Sequence, residues 1–513
     1  MRVLNAEEAR AFDRWAIETA GVPSLILMEN AALAVVDAIG ERFPGARTVQ
    51  AFCGPGNNGG DGLAVARQLA TRGYEVEILL ASFGRPLSND GSRQLEICQA
   101  LGFEVVELGA GWRESLATGS GCDLQLDGLF GTGLSRPLAA PWSDLVEWMN
   151  GRGIPIVAID VPSGLDASTG RLPASSIHAA LTVSFAAPRI AHLLPPARER
   201  VGELAIGDLG LPFELFPAAA GGLHLREPEE LARLVAPRRS AAHKGEFGSV
   251  LLVAGSRGMA GAAVLAARAA LVGGAGRVTI ATIDGLAEAI LAAVPEAMLL
   301  PLPANADGCL GRASEEPLLA ALERYEVVAL GPGLGGGDET ARLVERVVSA
   351  CPRPLVLDAD GLNALGERLE LVSERSAATV LTPHPGELGR LLGVAGSEVQ
   401  EDRLAAVARA RERSGAVVVL KGEGTLVARP DGETALHRVG NPAMASAGAG
   451  DVLAGLLAAR MAQGDEPGAA ADLAVHLHGR AGDLAHAAGW APAIPAGVLI
   501  DFLPQAFEEL VGE

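Results

Sequence analysis

The chain alternates short apolar runs with helix-like segments, and it does so twice along its length. From Thr48 onward the runs VQAFC, YEVEILLAS, LQLDGLF and IPIVAID have the length and composition of strands, with DGLAVARQLATRG and DLVEWMN as helices between them. Such alternation predicts a parallel sheet with helices on both faces. The pattern therefore restricts each half of the chain to an α/β fold.

The second alternation begins near Ser249, with strand-like runs SVLLVAG, VTIATI, EVVALGPG, PLVLDAD, ATVLTP, AVVVLKG and TLVARP. Between the halves, near Phe213, the pattern lapses into FELFPAAAGGLHLREPEE, whose proline, alanine and glycine indicate a linker. A chain of 513 residues is also too long for one core, because single cores stop growing at about 250–300 residues. We therefore predict two three-layer α/β/α domains, over residues 1–215 and 225–513.

Charge and cysteine content narrow the partners and the compartment. A formal net charge of −21 without a basic stripe opposes nucleic-acid binding. The five cysteines form no CxxC pair, which is typical of reduced thiols in the cytoplasm. Because the chain has neither a signal-like start nor an apolar run of about 18 residues, we expect no membrane partner. We also expect a homo-oligomer.

A glycine-rich segment, GPGNNGGDG, follows the first predicted strand, and its start satisfies the pattern GxGxxG. A tight turn without a ligand remains an alternative. The next strand ends in Ala81, Ser82, Phe83 and Gly84 and so lacks a ribose-binding acid, which disfavours an ordinary hydride-transfer cofactor site. The distinctive feature is a set of polar residues, Asn57, Asn58 and Asp61, among glycines that allow close approach of a ligand.

Two later strands end in comparable loops, which begin at Asp127 (DGLFGTGLSRP) and Asp160 (DVPSGLDASTG). Ligands of doubly wound sheets bind at the carboxyl ends of the strands. We therefore expect these two loops and the glycine-rich segment to converge, although each acid singly is also compatible with a turn or a cap.

The N-terminal half of the chain resembles a known family. LMENAA, GPGNNGGDG, DGLFGTGLSRP, IDVPSGLDASTG and VGELAIGDLG occur in the order of the NAD(P)HX epimerase family, over about residues 1–215. The resemblance implies a Rossmann-like fold and a potassium ion bound by Asn58, Asp127 and Ser163. It also implies a set of residues that hold the hydrated nucleotide: Asn57, Asn58, Gly59, Gly60, Asp61, Gly131, Thr132, Gly133, Leu134, Ser135, Arg136, Pro137 and Asp160.

Asp160 is the implied catalytic acid/base, since exchange of the R and S epimers at the hydrated nicotinamide carbon requires proton transfer. A positioned carboxylate supplies about 10²–10⁴-fold in such a step. One residue departs from the expected pattern: Arg189 stands in SFAAPRIAHLL where we expect lysine. Arginine keeps the charge but is a poor proton donor, which argues against proton transfer at that position.

The second half contains KGEGT and NPAMASAGAGDVLAG, in which Gly448, Ala449, Gly450 and Asp451 are expected to precede a helix. A glycine-rich turn at a helix N-terminus can surround a phosphoryl group with N–H donors, and Asp451 can accept a hydroxyl proton. An aspartate that merely caps the helix is the alternative. The GAGD pattern resembles the ribokinase-like fold.

The motifs HKGEFGSVLLVAGSRGMAGAA, ALGPGLG, LDADGLNAL and LTPHPGE follow the order of the ADP-dependent NAD(P)HX dehydratases, over about residues 230–510. The resemblance implies contacts to the hydrate from Ala262, Gly333, His384 and Asp451, with Asp451 catalytic. It implies adenine-nucleotide binding by Lys421, Gly422, Glu423, Gly424, Thr425 and Gly450. His384, between two prolines, is also compatible with a plain loop histidine.

The implied reaction makes the ring hydroxyl of the hydrate attack a phosphate of ADP with help from Asp451. The phosphorylated hydroxyl then leaves as phosphate and restores NAD(P)H, with AMP as the other product and Mg²⁺ neutralising charge on the phosphates. Three positions, Ala443, Ala447 and Ala449, carry small apolar side chains where glycine or a hydroxyl residue is expected. Backbone donors survive these changes, although nucleotide affinity is expected to differ.

The two halves together resemble the bifunctional NAD(P)H-hydrate repair enzymes, which act on NADHX and NADPHX. Two other interpretations remain open. The first is a ribokinase-like small-molecule kinase fused to a ligand-binding domain, for which a stably phosphorylated product is the decisive observation. The second is that the N-terminal half is a ligand-binding or scaffolding module without catalysis, since folds can lose chemistry and keep binding. The presence of Asn58, Asp127 and Asp160 favours catalysis.

Overall fold

The N-terminal sheet is parallel, and its strand order is that of a doubly wound fold. The computed structural model describes residues 1–117, 121–134, 136–217 and 222–512. The strands of this sheet are β1 (Thr48–Cys53), β2 (Glu75–Leu80), β3 (Val105–Glu107), β4 (Leu124–Gly128), β5 (Ile156–Ile159), β6 (Leu181–Phe185) and β7 (Glu203–Gly207). They run in the order β3-β2-β1-β4-β5-β6-β7, each parallel to its neighbours. The order reverses between β1 and β4, which makes this position the switch point of the sheet.

Alternate residues of β1 pack on opposite faces of the sheet, as expected for strands covered on both sides. Val49, Ala51 and Cys53 lie in one buried apolar cluster, whereas Phe52 lies in another with Leu79. The helices of this unit are α1 (Ala6–Arg14), α2 (Ser24–Arg42), α3 (Asn57–Thr71), α4 (Asn89–Ala100), α5 (Trp112–Ala117), α6 (Trp142–Asn150) and α7 (Ile190–Leu193), with a π-helical turn over Trp15–Thr19. The predicted parallel α/β fold is confirmed.

The C-terminal sheet is larger and mixed. Its strands are β8 (Gly222–Leu225), β9 (Ser249–Val253), β10 (Arg277–Ile283), β11 (Met298–Leu302), β12 (Val327–Leu330), β13 (Leu355–Leu357), β14 (Thr379–Leu381), β15 (Val417–Leu420), β16 (Thr425–Ala428) and β17 (Glu433–His437). Their order is β8-β17-β16-β15-β14-β13-β12-β9-β10-β11. The strands from β9 to β15 pair in parallel, whereas β16 pairs antiparallel with β15 and β17.

Helices of the C-terminal unit pack a core rich in alanine, leucine and valine against this sheet. They are α8 (Pro228–Ala232), α9 (Ala260–Val272), α10 (Ala287–Ala293), α11 (Glu315–Leu322), α12 (Asp338–Ala350), α13 (Asp360–Leu365), α14 (Glu370–Ser373), α15 (Pro385–Leu392), α16 (Gly396–Glu401), α17 (Arg403–Ser414), α18 (Ala449–Ala462), α19 (Pro467–Ala487) and α20 (Ala496–Val511). Within the described ranges, no helix combines the length and the apolar character needed to cross a membrane.

The chain divides into two units, Arg2–Ala219 and Ala220–Glu513. The linker predicted after Phe213 is only partly correct. Phe216 still packs in the N-terminal core against Phe12, with ring centroids 5.4 Å apart. Beyond the gap in the described residues, β8 pairs in parallel with β17, with Leu223 buried opposite Thr434. The prediction missed β8 because four residues are too few to show a period.

Two helices begin earlier than the sequence predicted. The helix expected from Asp61 starts at Asn57, so Asn57, Asn58 and Asp61 lie on α3 itself. The helix expected after Asp451 starts at Ala449, so only Gly448 precedes it, with φ +91°. Glycine is a poor helix former, which hid the first turn in both places. In the second case Asp451 lies in that turn.

Candidate functional site

The N-terminal group of polar residues surrounds the switch point, where α3 begins after β1. Gly54 donates its N–H to the carbonyl oxygen of Gly128 over 3.0 Å. A Cβ at Gly54 would lie 1.9 Å from the carbonyl oxygen of Leu129, and one at Gly59 would lie 1.8 Å from that of Gly54. Only glycine therefore allows the β1–α3 turn to lie so close to the end of β4.

Three predicted loops meet at Gly131. A Cβ at this glycine would lie 2.8 Å from Oδ1 of Asn58 and 3.0 Å from Oδ2 of Asp160. Asn58 is buried, and its Nδ2 has no hydrogen-bond partner among the described residues. The structure thus brings together the segments that the sequence predicted to converge, and an unpartnered amide faces their junction.

Asp160 follows β5 directly and has a left-handed backbone, with φ +62°. Its buried carboxylate accepts the backbone N–H of Thr132 at 3.0 Å and also the hydroxyl of that residue. Arg189, also buried, donates from Nη2 to Oδ1 of Asp160 at 3.1 Å. Burial by itself would raise the pKa of Asp160, but the Arg189 charge and the Thr132 hydrogen bonds outweigh it and lower that pKa. Asp160 is thus held as a carboxylate.

Arg189 is fixed on its other side as well. Its Nη1 donates to the carbonyl oxygen of Ala187 at 2.7 Å, so the side chain bridges the turn after β6 and the Asp160 carboxylate. Its backbone N–H donates to Nδ1 of His192 at 3.0 Å. The guanidinium of Arg189 is thus fixed against the Asp160 carboxylate.

His192, which no sequence motif singled out, lies fully buried on α7. Burial, with the nearby Arg189 charge, lowers the pKa of His192 to about 3, so the ring is neutral. Since Nδ1 accepts a hydrogen bond, the proton is on Nε2. The Asp160 carboxylate and backbone oppose part of this pKa shift, so the ring lies next to Asp160.

Asp127 and Ser163 form a second buried pair in this unit. Oδ1 of Asp127 accepts the Ser163 hydroxyl at 2.6 Å, and Oδ2 accepts the Ser163 N–H at 2.8 Å. Burial raises the pKa of Asp127 to about 6, against the lowering effect of these hydrogen bonds. A Cβ at Gly128 would lie 3.1 Å from the backbone oxygen of Asn58, so the predicted potassium ligands surround the end of β4.

The remaining predicted nucleotide contacts lie on α3 and on the loop after β4. Burial and the charges of Asp160 and Asp13 raise the pKa of Asp61 well above its usual range. A protonated carboxyl at Asp61 can donate a hydrogen bond to a ligand. Asp13, on α1, was missed by the sequence analysis. Exposed positions of the predicted set are Asn57, Gly133, Arg136 and Pro137; Gly60 is buried, Leu134 is half-buried, and Ser135 lies outside the described residues.

The C-terminal group centres on Lys421, directly after β15. Its Nζ donates to Oδ1 of Asp358 at 2.7 Å and lies 3.7 Å from Oε2 of Glu387. Burial opposes the ammonium charge, but the carboxylates of Asp358 and Glu387 outweigh it and raise the pKa of Lys421. Neither carboxylate was selected from the sequence.

Asp451 lies in the first turn of α18, close to the same group. Burial, followed by the negative charge of Asp358, raises the pKa of Asp451 to about 7, although Lys421 opposes the shift. A carboxylate with a pKa near neutrality suits a general base that must take a hydroxyl proton. Asp451 thus lies beside Lys421 and Asp358 in a buried, charged environment.

The predicted hydrate contacts lie on three elements: Ala262 on α9, Gly333 on the loop after β12, and His384 at the N-cap of α15. A Cβ at Gly333, which has φ +61°, would lie 2.8 Å from Cβ of Ala262, so these two predicted residues pack together. His384 is half-exposed and accepts the backbone N–H groups of Gly386 and Glu387 at Nδ1, at 3.0 and 3.3 Å. His384 thus caps α15, while Nε2 on the other edge of its ring lies 3.5 Å from Oε1 of Glu387.

The KGEGT turn is held from behind by Arg403, another residue that the sequence analysis missed. Arg403 is buried, and its Nη2 donates to the carbonyl oxygens of Leu420, Lys421 and Gly424 at 3.2 to 3.3 Å. Thr425 closes the turn by donating to the carbonyl oxygen of Gly422 at 2.8 Å. The predicted nucleotide turn, residues 421–425, therefore has a fixed backbone.

The alanines that depart from the expected anion loop have a packing explanation. Ala443 is buried in an apolar cluster with Ile494 and Leu499, and Ala449 packs against the same cluster. For Ala447 the structure gives no comparable reason.

Comparisons with known proteins match both halves of the chain. Residues 24–191 match the family described as YjeF-related protein N-terminus, and residues 250–505 match the family described as NAD(P)H-hydrate dehydratase. A dehydratase from Bacillus subtilis, co-crystallized with ATP/Mg²⁺, is 31% identical with a TM-score of 0.49, and the match covers 57% of this chain and 100% of that one.

Full-length relatives carry both parts. Proteins named bifunctional NAD(P)H-hydrate repair enzyme Nnr are 39% identical in Moorella thermoacetica, covering 100% of this chain and 98% of the relative, and 36% identical in Thermofilum pendens, covering 99% and 97%. The protein of that name from Escherichia coli is 35% identical, covering 93% of this chain and 88% of the relative. The resemblance found in the sequence is confirmed, and the chain belongs to the family of bifunctional NAD(P)H-hydrate repair enzymes.

Proposed function

We propose that the N-terminal unit interconverts the R and S epimers of hydrated NAD(P)H and that the C-terminal unit dehydrates the S epimer to NAD(P)H. The observation that carries the proposal is the contrast between two aspartates in separate units. Asp160 is kept ionised by Arg189 and Thr132, whereas burial and Asp358 raise the pKa of Asp451 to about 7. Each state suits a distinct proton-transfer task.

In the epimerase site, Asp160 moves the proton that accompanies breaking and remaking of the bond at the hydrated carbon. Arg189 and Thr132 orient its carboxylate. The side chain of Asn58, whose Nδ2 has no hydrogen-bond partner among the described residues, lies beside Gly131, as does the Asp160 carboxylate, and can donate to a substrate there. The residues proposed to hold the nucleotide are those of α3, Asp61 among them, and those of the loop after β4. These roles extend the family assignment to individual residues.

A potassium ion fits the oxygen atoms at the end of β4. Asp127 is a buried carboxylate that is paired with a hydroxyl and N–H groups, and the oxygens of Asn58 and Ser163 are nearby. We propose that Asn58, Asp127 and Ser163 hold the ion. Its bound charge would attract the substrate phosphate.

In the dehydratase site, Asp451 takes the proton of the ring hydroxyl while the hydroxyl oxygen attacks the β-phosphorus of ADP and AMP departs. The carbon–oxygen bond then breaks, and phosphate and a ring proton leave to give NAD(P)H. Lys421, with Gly422 to Thr425 and Gly450, is proposed to hold the nucleotide; Ala262, Gly333 and His384 are proposed to contact the hydrate. ADP is the proposed donor.

Mg²⁺ is proposed to enter with the nucleotide. The described residues contain no group of three or more histidine, cysteine or carboxylate side chains that could hold a metal ion. Mg²⁺ sites commonly draw most of their ligands from substrate phosphates and water. The ion would supply charge to the phosphates, and the protein residues would fix their position.

We also propose a cytoplasmic location and a homo-oligomer. Five free thiols support the location. Exposed apolar side chains on α2, Ile26 at 50% and Leu33 at 42%, support self-association, and light scattering of the purified chain measures it. We assign epimerisation to the unit Arg2–Ala219 and dehydration to the unit Ala220–Glu513.

The direct test incubates the purified chain with mixed hydrate epimers, with and without ADP, and follows NAD(P)H absorbance. Complete conversion of both epimers that requires ADP is the expected result. Conversion of the S epimer alone would remove the epimerase activity from the proposal. A stable phosphorylated product with no NAD(P)H would identify a kinase instead.

A further inference from the structure

Three residues that follow adjacent parallel strands meet beside the first turn of α18. Asp358 follows β13, Thr382 follows β14, and Lys421 follows β15. Oδ1 of Asp358 accepts both the Lys421 ammonium at 2.7 Å and the Thr382 hydroxyl at 2.8 Å. Asp358 and Thr382 are each 1% exposed, so the acceptor of the ammonium is itself rigidly held.

The position of the ammonium is electrostatically unusual. A Cβ at Gly450 would lie 3.3 Å from Nζ of Lys421 and 3.7 Å from Oδ2 of Asp358, so both charges lie against the start of α18. A helix N-terminus carries partial positive charge and repels an ammonium group. The carboxylate of Asp358, with that of Glu387 at 3.7 Å, offsets this repulsion before any anion binds.

The chain turns sharply after Asp358. Ala359 has φ +47° and ψ −118°, a backbone conformation that residues other than glycine rarely adopt. This turn sends the next carboxylate to a different loop, since Oδ2 of Asp360 accepts the N–H of Gly335 at 2.9 Å. Asp358 therefore faces Lys421, whereas Asp360 faces the loop that contains Gly333.

We propose that Asp358 is a positioning residue that holds the Lys421 ammonium at the start of α18, in the place where the transferred phosphoryl group gains charge. The inference rests on the proposed dehydratase function. Without Asp358, the Lys421 ammonium would still attract the nucleotide. It would, however, take its position from the phosphates as they lie before transfer, and not from the protein. Because misplacement by about 1 Å can cost about 10²-fold in rate, the loss would fall on the chemical step and not on binding.

The test is Asp358→Asn in the full chain, with ADP-dependent NAD(P)H formation from the S epimer. At saturating ADP and hydrate, and at a pH above the acid limb, we expect kcat to fall about 10²-fold. The KM for ADP should not rise, since the substitution removes a negative charge beside an anionic ligand. A smaller folded fraction would also lower the apparent kcat at an unchanged KM, so thermal unfolding of the variant is compared with that of wild type. A displaced acid limb is the readout that loss of folded protein cannot produce.

The pH profile gives an independent reading. Charged groups that face Asp451 are Asp358 after β13, Asp360 on α13, Lys421 after β15 and Glu387 on α15. His478 on α19, near Lys421, is neutral because burial lowers its pKa to about 4. Asp358 and Lys421 act on Asp451 in opposite directions. Removal of the Asp358 charge should therefore move the acid limb of the kcat profile to lower pH.

A matched control is Asp465→Asn. Asp465 accepts from Nε of the buried Arg460 at 2.8 Å and lies beyond the far end of α18 from Asp451. This substitution should leave the kcat, the KM and the pH dependence of dehydration unchanged. If Asp358→Asn does not fold, Thr382→Val serves instead, because it removes the hydrogen bond to Asp358 and keeps every charge. We expect it to lower kcat about 3- to 10-fold with the acid limb in place.

A kcat for Asp358→Asn within three-fold of wild type, or a fall in kcat without displacement of the acid limb, would overturn the positioning role. Unchanged kcat in Thr382→Val would do the same where that variant is used. If the wild-type chain itself forms no NAD(P)H from the S epimer with ADP, the proposed dehydratase function fails. The two failures are thus distinguished by the wild-type measurement.

Discussion

Arg189 donates from Nη2 to Oδ1 of Asp160 over 3.1 Å, and both side chains are buried. Replacement of Arg189 by Met should remove the interaction that opposes the burial of Asp160. The pKa of Asp160 should then rise, and the acid limb of epimerisation should move to higher pH, with a loss of about 10²-fold at neutral pH.

Epimerisation of the purified R hydrate, followed across pH, measures this effect. Arg189→Lys keeps a charge and should retain more activity than Arg189→Met, although it lacks the second bond to Ala187. Dehydration of the S epimer is the internal control and should be unchanged. An acid limb that does not move in Arg189→Met would contradict the assignment.

Asp451→Asn should abolish dehydration and spare epimerisation, because the proposed acid/base groups lie in separate units. The expected loss is about 10²- to 10⁴-fold if Asp451 is the general base. In the wild type, the pKa of about 7 predicts that kcat for dehydration rises as the pH passes through neutrality and Asp451 ionises. Equal loss of both activities in a normally folded variant would rule out this division.

Replacement of K⁺ by a much larger organic cation should weaken substrate binding to the epimerase site. The proposed ligands are the oxygens of Asp127, Ser163 and Asn58 at the end of β4, and a much larger cation cannot approach them as closely as K⁺. Equilibrium binding of the hydrate, after thorough removal of K⁺, is the measurement, and dehydration kinetics in the same buffers are the control. Identical affinity with both cations would discard the potassium site.

Separate fragments should each retain one activity. A fragment that ends near residue 219 should epimerise, and one that starts near residue 221 should dehydrate the S epimer, in line with the division at Ala219 and Ala220. A start at 226 should be less stable, since it deletes β8 and leaves one side of β17 unpaired. Thermal unfolding and the two assays compare the fragments; loss of activity in both, with an active full chain, would refute their independence.

The sequence predicted the fold well where the elements are long and periodic. It identified β1, β9 and α9 because apolar strands and an alanine-rich helix have clear signatures. It missed β3, β6, β7, β8, β11 and β17, of which β3, β7, β8 and β11 are partly exposed. Residues at strand ends, Asp127 and Asp160, were identifiable because parallel strands place such positions at one edge.

The contacts that hold the site residues in place could not be predicted from a single sequence. Lys421 and Asp358 are 63 residues apart, and nothing local to either indicates the pairing. The sequence around Arg403 predicts only an exposed helical arginine, yet its guanidinium donates to the carbonyl oxygens of the KGEGT turn. His192 resembles an ordinary apolar-helix histidine until the backbone N–H of Arg189 fixes its tautomer.

The meeting of Asp358, Thr382 and Lys421 also determines how much length variation this region can tolerate. Side chains alternate between the two faces of a strand, so one inserted or deleted residue within β13, β14 or β15 would turn the following side chain away from its partners. Loops at the opposite ends of these strands carry no such constraint. Natural or engineered changes in chain length should therefore accumulate at those amino-terminal ends, while the register of the three strands remains a condition for phosphoryl transfer.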